Sequence, residues 1–467
     1  MSRFNIGGYS RFQAETLFAP NKQYGVKFTG LPAITAGTRL GSAEGMVANA
    51  HKGTYNVLLR NDFDNKRPWS DIRTAKVNTD GTVAAWMGDP TFDIAVGQWM
   101  ARIPLYYVKR PSENEIWISP YPCDGYEAHP DFVKTDGSLR EYVWRSVVHA
   151  GLDTGGTKLT SQPDKLPLVS QTMAQFRAKA AAIGAGWQQA DVWNANSLQL
   201  LMLVEFANTN IQTAIGRGIC DLRYTASDLA TVTEAAVNRI IVSNATAALY
   251  AIDQYVDIGT TQGGRQVAQD RKIMAIDVYD AGNKAITLDG AAFNVAVGNM
   301  LYHVGQPVPV ATIKAIGNES GYIGVDGKVA AFYRGMVCWG NDYYGLEGAL
   351  CSNNRIFVTN NPALYGDATT AEWIDTGLDV VAATDGYVGA MSKPVTFPTL
   401  LIPTALTGGG SASGWCDYYY YPRYALTVPR VGGSWLRGSS GGPFYWYCTN
   451  APAYAAISYG ALLLLKP

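Results

Sequence analysis

Two stretches of this chain carry the apolar repeat of a helix, and the sequence on either side of them reads as short strands and turns. SQTMAQFRAKAAAIG places Met173, Phe176, Ala180 and Ile183 on one face, with Ser170 as a cap and Gly184 as a stop. NANSLQLLMLVEFAN follows, with Leu198, Leu201 and Met202 as its apolar stripe. Ahead of both, MARIPLYYVKR and EIWISPYP are β-rich runs about a polar turn at Ser112–Glu115, the pattern of a hairpin. Beyond them, QDRKIMAIDVYDAGNKAITLDG gives two strand-like runs about an Asp-Ala-Gly-Asn turn. The expected class is therefore α+β with a modest helix share. The expected order is a β-rich leading domain over 1–96 and a second domain over 97–467. The second carries a β insertion at 220–330 and a loop-rich aromatic end at 411–467. No internal period marks a solenoid or propeller.

Charge narrows the functional classes. Net charge is −1 and charged residues make up 16% of the chain, so there is no basic footprint for a phosphate backbone, and nucleic acid is not an expected partner. The opening MSRFNIGGYSRFQAE lacks the apolar core of a secretory signal. The longest aliphatic run, Ala461–Leu465, is too short to span a bilayer, so membrane insertion is not expected.

Metal and cofactor chemistry find little support. Six cysteines without a CxxC read as reduced, buried thiols, and four scattered histidines do not make a zinc site. Asp62, Asp64 and Asp71 lack calcium-loop spacing and are offset by Lys66, Arg67 and Arg73. The fragments QPD (162–164) and WGND (339–342) are too short to define a calcium site. GTTQGGRQ (259–266) lacks the lysine and serine of a phosphate loop. No metal and no cofactor are expected.

The segment GGSWLRGSSGGPFYWYCTN (432–450) poses the sharpest question, because Ser440 sits in both a Gly-x-Ser-x-Gly pattern and a GSSGGP protease-like pattern. All four histidines (His51, His129, His149, His303) precede Ser440, and the strand-like PFYWY follows it, which defeats the nucleophile-elbow reading. The trypsin-like order survives, with ANAHKG at His51. But Ser439 stands where that family has aspartate, and two helices intervene. Glu205 has no visible catalytic partner and reads as a helix-end hydrogen bonder. The expectation is a non-catalytic chain.

Residues 411–460 hold nine of the 28 tyrosines and three of the 12 tryptophans, interleaved with serine, glycine and asparagine, which is a paratope-like mixture. Strand alternation would send Phe444 and Trp446 one way and Tyr445 and Tyr447 the other. Trp435 reads as a core anchor. Tyr418–Tyr421 cannot all face inward.

GGSW…GPFYW followed by NAP, with GWCDYYY upstream, resembles the C-terminal segment of C-type lectin-like domains of the formylglycine-generating-enzyme type in phage and prophage structural proteins. Among these are the variable, major-tropism-determinant-like receptor-binding proteins of diversity-generating retroelements. The helix pair and YRGMVCWGNDYYGLEG (333–348) add to the likeness.

The resemblance implies a framework of Gly432, Gly433, Trp435, Gly438, Gly442, Phe444 and Gly460. It implies receptor contacts at Ser434, Leu436, Arg437, Ser439, Ser440, Tyr445, Tyr447, Thr449, Ala453 and Tyr454. It further implies a homotrimer in a virion tail, attached by residues 1–96 to other tail proteins. Its partner would be a host-surface glycan or protein receptor. The copper-dependent activity of the enzyme branch is not implied, because Cys416 and Cys448 sit in other contexts. Nor is the segment asparagine-rich like many diversified ones.

Overall fold

The computed structural model describes residues 22–53 and 59–467. Strand accounts for 34% and helix for 13%, in eight separate sheets with five helices among the described residues, so the fold is sheet-dominated. This overturns the expected α+β, lectin-like class. Much of the sequence that reads as loop pairs into strands of two to four residues, too short to show a period.

Helix α1 (Met173–Ala181) lies in the first expected stretch, but its cap is Thr172, not Ser170. The Thr172 side chain accepts from the Gln175 amide while Gln175 answers the Thr172 amide, a full capping box. Helix α2 (Val192–Phe206) begins earlier than its stripe suggests, capped by Asp191. Every residue from Val192 to Glu205 is buried, so α2 is a central rod with sheets around it, not an amphipathic cover. Its end is held by charge. Glu205 accepts from Arg334 at 2.6 Å, from the Tyr333 hydroxyl at 2.8 Å and from Asn61 at 2.8 Å.

A six-stranded sheet runs in the order Trp187–Gln189, Leu463–Leu465, Tyr142–Ser146, Gln98–Pro104, Arg73–Val77, Val83–Trp86. Ala461–Leu465 is apolar throughout because this strand is covered on both faces, with every residue of the run at most 2% exposed. Lys466 follows, buried and paired to Asp131 at 2.7 Å and Asp191 at 2.5 Å.

The hairpin about Ser112–Glu115 forms from Tyr107–Ser112 and Glu115–Ser119, while Gln98–Pro104 belongs to the neighbouring sheet. The expected boundary after residue 96 does not separate two bodies. Tyr24–Lys27 pairs with Glu115–Ser119, and Arg73–Val77 pairs with Gln98–Pro104. The Trp69 indole donates to the Leu201 carbonyl of α2 at 3.3 Å. Residues 1–21 of the expected leading domain lie outside the described residues.

Within the span read as a β insertion, residues 230–301 have a core of their own, including Ile240, Val256, Ile273, Ile286 and Leu301. The five-stranded sheet around it is Arg239–Ser243, Asn283–Leu288, Ala268–Val278, Tyr255–Gly259, Met300–His303. Its ends meet where the His303 amide donates to the Arg223 carbonyl at 2.9 Å.

Candidate functional site: a tyrosine face around Arg437

A seven-stranded sheet gathers the aromatic end in the order Ile402–Thr407, Gly386–Ser392, Tyr418–Tyr420, Trp446–Tyr447, Arg430–Val431, Tyr343–Gly345, Tyr459–Gly460. Its register decides which rings go where, since residues directly opposite share a face. Tyr419 pairs with Trp446, Trp446 with Val431 and Val431 with Tyr344, and all four enter the main core. One position along, Tyr387, Tyr418, Tyr420, Tyr447, Arg430, Tyr343 and Tyr459 share the opposite face. A continuous row of rings results. Centroids are 5.0 Å apart for Tyr387–Tyr418, 4.9 Å for Tyr418–Tyr420, 5.1 Å for Tyr420–Tyr447 and 6.1 Å for Tyr447–Tyr459. Tyr454 extends it at 5.6 Å from Tyr459. Tyr387, Tyr418, Tyr420 and Tyr447 are half-buried and Tyr454 is exposed.

The 432–441 loop lies over this face. Gly432 and Gly433 take φ of 92° and 78°, a sharp reversal that a side chain would strain. Trp435 is fully buried, with its ring 5.0 Å from Tyr224. The Gly438 amide donates to the Cys220 carbonyl at 2.7 Å, which pins the far end. Arg437 then reaches into the tyrosines. Its Nε donates to the Tyr343 hydroxyl and its Nη1 to the Tyr420 hydroxyl at 2.7 Å. The guanidinium sits 4.8 Å from the Tyr420 ring centre, within cation–π range. Burial raises the phenol pKa of Tyr420 to about 12 and that of Tyr343 in the same direction, so both remain protonated hydrogen-bonding groups.

The implied contact set divides. Leu436, Arg437, Ser439, Ser440 and Tyr447 are half-buried and Ala453 and Tyr454 exposed, all within or beside this face. Ser434, Tyr445 and Thr449 are buried at 0%, 0% and 6%, so they do not display side chains. Tyr445 is covered because Arg437 and Tyr343 lie over it, its hydroxyl 3.1 Å from that of Tyr343. Of the implied framework, Trp435 and Phe444 are fully buried in the main core. A Cβ on Gly442 would collide with the Asp417 carboxylate, and Gly438 and Gly460 sit at loop and strand positions of the same unit.

Among the described residues, no base lies beside Ser440. Its Oγ donates to the Arg437 carbonyl at 2.5 Å, closing a single 3-10 turn. The histidines are engaged elsewhere: His51 with Glu319, His129 with Asn196, His303 with Gln254, and His149 against the Tyr344 ring. Cys416 is buried with its thiol pKa raised to about 12, and Cys448 is shifted the same way. Among the described residues no cluster of three or more His, Cys, Asp or Glu is placed to hold a metal ion, and no helix is long and apolar enough to cross a membrane.

The residues missed from sequence are Tyr343, Tyr387, Tyr459 and Arg430. Their only signal was the Tyr-Tyr pair at 343–344, both of them buried, of which Tyr344 enters the main core and Tyr343 joins the tyrosine cluster. Comparison with protein-family models and with curated proteins returned no match.

Proposed function

We propose that this chain is a non-catalytic, receptor-binding component of a virion tail that meets its host-surface partner through the tyrosine face around Arg437. The observation that carries the reading is the row of part-exposed phenols on one sheet face, held by a pinned loop. Rings already fixed by their neighbours lose little entropy on contact, and their hydroxyls choose among partners. A rigid patch of aromatic rings and hydroxyls is suited to holding a molecule. The virion setting rests on the likeness of 411–467 to phage structural proteins. A homotrimer would multiply weak individual contacts by avidity.

The test is adsorption of labelled protein to bacterial cells that retain the wild-type chain, comparing it with a Tyr420→Ala/Tyr447→Ala variant. Loss of adsorption with an unchanged melting temperature is expected. Full adsorption by a folded variant would rule this face out. Normal adsorption with failed particle assembly would instead make the face an assembly contact.

A further inference from the structure

Among the described residues, neither arginine of the tyrosine face, Arg430 or Arg437, is held by an ion pair, and Arg437 is the part-exposed one. Arg437 bonds only to phenol hydroxyls, its Nη2 amine has no partner among the described residues, and no ion pair engages it. The acidic groups nearest this surface are committed: Asp385 pairs with Arg423 at 3.2 Å and Asp221 with Arg217. The other arginine of the face, Arg430, is turned to the carbonyls of Asn450, Ala451 and Tyr454 and is buried. One guanidinium with an unpartnered Nη2 amine therefore stands among part-exposed aromatic rings.

Building on the receptor-binding reading, we infer that the ligand is a glycan bearing a carboxylate, a uronic or sialic type of sugar. The Nη2 amine can donate charge-assisted hydrogen bonds to a carboxylate, whose charge the guanidinium balances. The rings of Tyr420 and Tyr447 offer flat apolar area for a pyranose C–H face, and the phenol hydroxyls hydrogen-bond its ring hydroxyls. The one part-exposed guanidinium of the face is a single positive charge, which balances a monoanion and favours carboxylate over a doubly charged phosphate monoester.

The probes are polyacrylamide conjugates of glucuronic, galacturonic and N-acetylneuraminic acid, with glucose, galactose and glucose 6-phosphate conjugates as comparators. All are presented to the full chain in a surface-binding assay. At least one acidic sugar is expected to bind about tenfold or more tighter than its neutral counterpart. Arg437→Gln is expected to erase the difference between acidic and neutral conjugates. Equal binding of acidic and neutral conjugates by the wild-type chain overturns the inference, whether or not the Arg437 variant folds. A preference for the phosphate overturns the choice of carboxylate. If the Tyr420→Ala/Tyr447→Ala variant loses cell adsorption but no acidic sugar is preferred, the ligand class alone is wrong. If adsorption survives in that variant, the receptor face itself is wrong.

Discussion

Asp342 sits directly under the functional surface, fully buried, with its carboxylate so close to Gly305 that a Cβ there would collide with it, and with Gly460 packed tightly against its side chain. Burial raises its pKa from the usual 3.8 to about 8. Between those values the native state holds a proton that the unfolded chain has released. Its contribution to stability is therefore complete below the ordinary carboxyl pKa and is lost as pH rises through about 8. Within that window the slope is about 1.4 kcal/mol per pH unit. Asp342→Asn should flatten the decline. Denaturant midpoints at pH 5 and pH 9 should separate more for wild type than for the variant, and parallel curves would contradict the assignment. Glu205 is the opposite case, a buried carboxylate whose charge is answered by Arg334. Arg334→Met strands that charge in the core and should cost about 3–5 kcal/mol in chemical unfolding.

At the level of elements, α2 is the rod around which the sheets assemble. Leu201, fully buried in it, should cost about 2–5 kcal/mol when cut to alanine. The sequence showed that a helix lay here, because apolar residues recur over its second half. The stretch read as helix opens at Asn194, just inside the observed start at Val192. The 107–119 hairpin was legible because alternation and a polar turn coincide within one short stretch. The tyrosine face was half legible. Density of rings in 411–460 pointed to the segment, and alternation separated Phe444 and Trp446 from Tyr447. Its other half comes from Tyr343, on a three-residue strand, and from Tyr387, which meets Tyr418 only through tertiary strand pairing. The burial of Ser434, Tyr445 and Thr449 was not legible in the sequence, because what covers them is brought there by tertiary folding alone.

For the whole molecule, the α+β expectation failed because sheet content here is built from many brief long-range pairings. The leading segment and the last strand are both woven into the central sheets. Removing residues 461–467 takes out a fully buried strand and the Lys466 ion pairs, and should leave no cooperative melting transition by calorimetry. The 230–301 body behaves differently, since its core is its own and its ends meet at Arg223 and His303. Replacing 228–301 with a short glycine-serine linker should leave a folded chain with a retained melting transition, and aggregation of the excised protein would contradict that independence. The most direct measurement of the central claim is cell adsorption by the folded Tyr420→Ala/Tyr447→Ala chain beside wild type. The account predicts that adsorption is lost at an unchanged melting temperature, and undiminished adsorption would contradict it.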